Sequence, residues 1–188
     1  MIEIERFVDK RAGYSSVHVI KTILLIGERS IGRDRLMKEL SLNEASVRTI
    51  LNRLTDNKII KPAGKGKVLS KRGDKIFQFL KKNIVGPREV EKTNITMSRY
   101  NVAYLVKKRA HKIKRGLEQR DQAVKIDAEG LTTLVYRKGL SIPGLGWDVP
   151  RHIDKLFELE RGDVVLIGSA KSRDRAELAA LSAALELL

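Results

Sequence analysis

The stretch from Arg33 to Gly73 constrains this chain more than any other. It holds two helical patterns split by a short polar break, then a glycine-tipped ribbon. In "RLMKEL", Leu36, Met37 and Leu40 fall at helical spacing, so a short helix runs from about Gly32 to Leu40. "SLN" interrupts it. In "EASVRTILNRLTDN", Val47, Ile50, Leu51 and Leu54 form one apolar stripe. The cap of this helix is either Asn43, or Ser41 acting with Glu44 three residues on. "IIKPAGKGKVLSKRG" follows. Its apolar pairs Ile59-Ile60 and Val68-Leu69 flank "AGKGK", whose glycines accept positive φ and close a tight hairpin.

Helices bracket this unit. Ser15 or Ser16 caps one in which Val19, Ile20, Ile23 and Leu24 recur at helical spacing. After the hairpin, "SKRGDKIFQFLKKN" gives another with Ile76, Phe77 and Leu80 on one side. The side of the third helix opposite its apolar stripe carries Ala45, Thr49, Asn52 and Asp56, flanked by Ser46, Arg48 and Arg53. An ordinary solvated face would more often hold Glu and Lys. Small and amide side chains edged by arginines suit a DNA major groove, where Asn bridges an adenine edge, Thr meets a thymine methyl and Arg holds phosphate or guanine. Charge points the same way: Lys58 to Lys82 holds nine basic residues and one acidic residue, Asp74. The candidate DNA contacts are therefore Ala45, Ser46, Arg48, Thr49, Asn52 and Arg53 on the helix. Lys65 and Lys67 in the hairpin, with Lys71 and Arg72 after it, complete the set.

Helix, short helix, turn, helix and hairpin is the winged helix-turn-helix order. Over about residues 15–82 the chain resembles winged-helix transcription regulators of the MarR and Lrp kind. The residues that carry the resemblance are "RLMKELSLNEASVRTILNRLTDNKIIKP" and "LSKRG", where Ser70 stands in place of the commoner Thr. The resemblance implies a dimeric DNA-binding repressor or activator with its third helix in the groove. As a whole, the chain looks like an uncharacterised archaeal family that joins such a head to a domain of unknown role.

"NIVGPREVEKTN", with its Gly-Pro and no apolar periodicity, reads as a boundary between domains at 1–85 and 86–188. The two halves carry net charges of +10 and +5, out of +15 for the 188 residues. Past the boundary, "YNVAYLVK" reads as a strand and Lys112 to Asp127 as a helix with Leu117, Val124 and Ala128 aligned. "LTTLVYRKGLSIPG" reads as two strands around a tight turn, "PRHIDKLFELE" as a helix, "DVVLIGSA" as a buried strand and "RDRAELAALSAALELL" as a long apolar helix. This order predicts a ferredoxin-like α+β domain with an extra C-terminal helix. It resembles in order the ligand-sensing domain of Lrp-type regulators, and that resemblance implies dimerisation or effector sensing.

Two places there are candidate ligand sites. Ser169 and Lys171 in "IGSAKS" leave a strand and open a helix, which suits an anion, although a plain cap by Ser172 or Asp174 is the commoner outcome. Arg120 and Asp121 near Thr132 and Thr133 form either a polar pocket or an exposed ion pair. Trp147, the sole tryptophan, reads as an interface anchor, a pocket lid or a core residue. "KKRAHKIKR", Lys107 to Arg115, has six basic residues and no acid, and is either a second DNA contact or a solvated edge.

Chemistry-bearing motifs are scarce. No cysteine is present, and His18, His111 and His152 lack metal-ligand spacing. "GKGK" and "GLGW" fall short of phosphate-loop and dinucleotide fingerprints. No catalytic residue, metal or cofactor is expected, and the chain is not read as an enzyme. The charged start lacks a signal peptide's apolar core, and "VHVIKTILLI" is too short to span a bilayer. These readings predict a cytoplasmic, homodimeric, sequence-specific regulator that binds double-stranded DNA and answers to an unidentified small-molecule effector, with no membrane partner. The rival readings are an RNA-binding or ribosome-associated protein using the same basic surface, and a small-ligand enzyme with an auxiliary DNA-binding head.

Overall fold

The structure, a computed structural model, describes residues 13–64, 66–145 and 148–188, with the side chain of Leu117 also outside the description. It is a mixed α+β protein of two compact units, residues 1–82 and 83–188.

Unit 1 opens with helix α1 (Ser16–Glu28), which buries Val17, Val19, Ile20, Ile23 and Ile26, while Leu24 is half-buried. α2 (Arg33–Leu40) buries Leu36 and Leu40. It stops where Ser41 turns left-handed at φ 52°. α3 (Glu44–Asp56) starts at Asn43, whose side chain accepts from the Ser46 amide at 2.9 Å. That settles its cap in favour of Asn43 and satisfies one of the amides a helix start leaves orphaned. Val47, Ile50, Leu51 and Leu54 are all buried, as their spacing predicts.

The hairpin pairs β1 (Ile60–Ala63) with β2 (Gly66–Leu69) antiparallel, and Ile31 adds a bridge to Lys67. Ile59 and Ile60 are buried, whereas Val68 and Leu69 are only half-buried. α4 (Lys71–Asn83) follows at once, with Gly73, Ile76 and Leu80 inward. One hydroxyl organises this junction. Ser70 Oγ donates to the Lys58 carbonyl at 2.6 Å and accepts from the Arg72 and Gly73 amides at 3.1 Å each. Gly73 lies against the Ile59 carbonyl oxygen, where a Cβ has no room. "LSKRG" is thus a helix cap plus a close backbone contact.

Unit 2 is a five-stranded sheet with the order β3-β4-β7-β5-β6, made of Ile84–Val90, Tyr100–Val106, Val164–Ala170, Gly130–Tyr136 and Leu140–Ser141. α5 (Leu117–Val124) and α7 (Arg173–Glu186) cover one face. Ile95, the short helix α6 (Arg151–Asp154) through Ile153, and Phe157 pack on the other face, against Ala103, Leu105, Leu134, Val165 and Ile167. Coverage on both faces explains why β4 and β7 read as unbroken apolar runs. α7 lies close enough to β7 that the Ala176 carbonyl sits on Gly168, and its alanines are buried within the unit together with Leu178 and Leu181.

Three expectations for this half need correction. A ferredoxin-like sheet sets its first and third strands side by side and parallel. Here every pair of neighbours in the sheet is antiparallel, and β7 lies between β4 and β5. Second, the stretch read as a break without periodicity forms edge strand β3, which absorbs Gly86-Pro87 in a register shift between Val85 and Arg88. Proline is tolerated at such an edge or bulge because it has no amide to leave unpaired. Third, the helices are shorter than periodicity suggests. α5 ends at Val124, which is 56% exposed, and Asp127 is left-handed, so Gln119 and Ala123 are the residues turned inward. α6 is a single turn, although Ile153 and Phe157 are still buried.

Candidate nucleic-acid interface

The outward side of α3 presents Ala45, Arg48 and Asn52 exposed, with Thr49 and Arg53 half-exposed. The Thr49 hydroxyl donates to the Ala45 carbonyl at 2.9 Å. Its hydrogen is therefore engaged within the helix. Ser46 departs from the expectation. It is 4% exposed, because it precedes Ile50 by one helical turn and so falls on the apolar side. Ser46 is not part of a solvent-facing surface.

The end of α3 is tied tightly to the hairpin. The Ile59 amide donates to the Leu54 carbonyl at 2.8 Å and the Asn57 side chain to the Arg53 carbonyl at 2.8 Å. Lys58 is left-handed at φ 57°, which turns the chain into β1. Lys67 is half-exposed on β2, and Lys71 and Arg72 are exposed at the start of α4. Arg72 also donates to the Asn57 carbonyl at 3.3 Å, so its guanidinium is partly committed to closing α3. Lys65 lies outside the described residues, as does Trp147. An ion pair that sequence reading missed, Arg33 to Glu44 at 2.7 Å, links the starts of α2 and α3.

His18 belongs to the cap of α1. Its Nδ1 accepts the Ser15 amide at 3.1 Å, so it fills the position Glu or Gln takes in a capping box. Burial, reinforced by the Lys21 cation, pushes its pKa down to about 4. The ring is therefore neutral at physiological pH.

The cationic run in unit 2 is used differently. Arg109 Nε and Lys112 Nζ donate to the Leu187 carbonyl at 3.0 and 2.8 Å, which caps the end of α7. Lys108 pairs with Glu160 at 2.6 Å and holds that carboxyl below its usual range.

The residues proposed for ligands do not converge. Arg120 and Asp121 are exposed on α5, while Thr132 and Thr133 are buried and, as neighbours in a strand, point to opposite faces of the sheet. Thr132 donates to the Ile95 carbonyl. Thr133 lies against Gly116, which closes the space beside its hydroxyl. Ser169 donates to Asn101 Oδ1 at 2.7 Å and accepts from the Met97 amide at 3.1 Å, so it fastens the 95–98 segment to the sheet. Lys171 pairs loosely with Glu129 at 3.9 Å. The helix start beyond is capped by Ser172, which accepts from the Arg175 amide at 3.4 Å. Sequence reading also missed a polar chain that runs from buried Tyr104 and Glu177 out to the surface. Tyr104 donates to Glu177 at 3.3 Å, and Arg173 bridges Glu177 and Glu89 at 3.0 and 2.7 Å. Among the described residues, no cluster of three His, Cys, Asp or Glu could hold a metal, and no helix is long and apolar enough to cross a membrane.

These features define a two-unit α+β protein whose helical first unit carries an exposed polar helix face and a basic hairpin. Residues 17–75 match the family described as the PH0730-like N-terminal domain, and residues 97–187 match a domain of unknown function, DUF4443. One match falls in each unit. The chain is similar in structure to a hypothetical protein, PH0730 from Pyrococcus horikoshii OT3. The two share 27% identity over 93% of this chain and 92% of that one, with a TM-score of 0.76. None of the curated proteins matches. Together these likenesses fit an uncharacterised archaeal family.

Proposed function

We propose that the protein is a sequence-specific regulator of transcription that binds double-stranded DNA through unit 1 as a winged helix-turn-helix. α3 would lie in the major groove and the hairpin on the backbone or in the minor groove. One observation carries the reading: the face of α3 bearing Ala45, Arg48 and Asn52 is open to solvent within the unit that holds the basic hairpin. The bridge from Ile31 to Lys67 adds support, since it fixes the hairpin to the turn between α1 and α2. Asn52 reads an adenine edge and Thr49, its hydroxyl engaged, offers its methyl to thymine. Arg48, Arg53, Lys67, Lys71 and Arg72 contact phosphates. In this reading the protein acts in the cytoplasm as a homodimer without catalysis, and unit 2 serves dimerisation or the sensing of a small-molecule effector.

Selection of bound duplexes from a random pool tests it. The expected result is an enriched site whose preference relaxes in Asn52→Ala or Thr49→Ala, each by about 1–3 kcal/mol. Equal retention of random and selected duplexes would defeat the proposal. Tighter binding of structured RNA than of any duplex would move the reading to RNA shape recognition.

A further inference from the structure

Three segments meet at one end of the five-stranded sheet: the chain after β4 (107–112), the β5–β6 turn (137–139) and the approach to β7 (160–163). Backbone bonds join them. The Gly162 amide donates to the Tyr136 carbonyl and the Tyr136 amide to the Asp163 carbonyl, each at 2.9 Å. The Ala110 amide donates to the Gly162 carbonyl at 2.8 Å. Together the three segments hold seven basic and two acidic residues. Elsewhere in unit 2 the basic and acidic residues number 12 each, so the unit's whole excess of +5 gathers at this end.

Folding accounts for four of the seven cations. Lys108 pairs with Glu160, Lys107 adds its field on the same carboxyl, and Arg109 and Lys112 cap α7. The other acid, Asp163, is buried and accepts from the Lys108 and Glu160 amides at 2.9 Å each. Two further acids lie nearby in sequence and are turned elsewhere. Glu158 stands between Phe157 and Leu159, which pack on the face of the sheet, and Glu186 bonds Gln122 of α5. Arg137, Lys138 and Arg161 are left. All three are exposed, and among the described residues none has a hydrogen bond or ion pair to its side chain. Like charges gathered on bonded segments repel one another, so the fold gains nothing from them.

We infer that Arg137, Lys138 and Arg161 form a contact for the phosphates of a nucleic-acid duplex, made without reading its sequence. Charge selects an anionic partner, and charge density selects the duplex. Neighbouring strands lie about 5 Å apart, so the backbones that carry the three cations fall within roughly 10 Å. A duplex presents about six phosphates over that length. An extended acidic peptide presents about three side chains, and alternate ones point away. Neither 137–139 nor 160–163 holds Asn, Gln or an aromatic ring to tell one base from another, so the contact is with the backbone. No residue of unit 1 enters this inference, which goes beyond the reading of α3 and the hairpin and does not depend on it.

The test uses the full chain, a short fluorescent duplex of random sequence, and polyglutamate as a polyanion without phosphates. Arg137→Gln, Lys138→Gln and Arg161→Gln together should lower the slope of log affinity against log salt by roughly 2.7, about 0.9 for each lost contact. Arg137→Gln with Lys138→Gln, confined to the turn, should lower it by about 1.8. Selected and random duplexes should weaken by the same factor, and polyglutamate should bind the parent less tightly than the duplex does. Melting temperatures show that each variant is folded. The inference is overturned if the parent does not bind the duplex, or if the folded variants keep the parent's slope. It is equally overturned if polyglutamate binds the parent as tightly as the duplex and is lost in the triple variant, since the occupant is then an acidic polypeptide. A parent with no preferred site, whose slope still falls in the triple variant, would defeat the reading of unit 1 and support this one.

Discussion

Two stretches of this chain are densely cationic, and they use their charge in opposite ways. From Lys58 to Lys82 most cations stand at the surface of unit 1, around a hairpin tip and along α4. From Lys107 to Arg115 the chain turns back from β4, and Lys108, Arg109 and Lys112 are anchored to Glu160 and to the last carbonyls of α7. Linear charge density is the same signal in both. What separates them is what folds beside them: unit 2 brings a helix C-terminus to its basic run, and Arg109 and Lys112 cap it, although every cation of the run but Arg109 stays exposed. Unit 1 brings a backbone contact at Gly73 and a capping serine, which fix the main chain and leave many side chains outside.

The strongest way to break this contrast is at Gly73. Gly73→Ala pushes a methyl into the Ile59 carbonyl, and we expect unit 1 to lose about 3 kcal/mol in denaturant unfolding, with unit 2 unaffected. An unchanged midpoint would mean that the hairpin base is loose.

Acid should separate the units next. His18 binds a proton in the unfolded chain near pH 6.5 but in the fold only near 4, so stability is full above 6.5 and falls as pH drops toward 4. The loss reaches at most about 3 kcal/mol by the lower limit, and His18→Gln should flatten the curve over that window. His18 lies in α1, so its effect falls on unit 1. Unfolding followed across that pH range checks it.

Arg109→Ala with Lys112→Ala should then cost unit 2 about 2 kcal/mol by uncapping α7, while duplex affinity stays unchanged. The smallest change is in salt dependence. Lys67→Ala with Lys71→Ala should reduce the slope of log affinity against log salt by roughly 1.8, about 0.9 for each lost phosphate contact. Titrations at several salt concentrations measure it, and an equal reduction from Lys114→Ala with Arg115→Ala would erase the distinction between the two stretches.

Legibility followed the same division. The apolar stripe of α3 was readable because a helix of 13 residues completes several turns, and each turn repeats the signal. "AGKGK" was readable because glycine marks a turn by itself. Ser46 was misplaced among the surface residues, though its spacing to Ile50 held the clue. In unit 2 the elements came in the expected order, but the sheet topology depends on which strands meet. No local pattern in "DVVLIGSA" says that β7 lies between β4 and β5. Strand β3 was hidden because Gly86-Pro87 looks like a break, and only the finished sheet shows a bulge. Two of the ligand candidates show a related effect. Hydroxyls on Thr132 and Ser169 look available in a string of letters, whereas the fold gives each a partner more than 30 residues away.

The hydroxyl of Ser70 holds the last residue before the ribbon and the first turn of α4 at once. Ribbon and helix are mechanically a single lever with a pinned fulcrum, so a force that bends the ribbon is felt in α4. Their amides at this joint should therefore open together in hydrogen exchange, as one cooperative event.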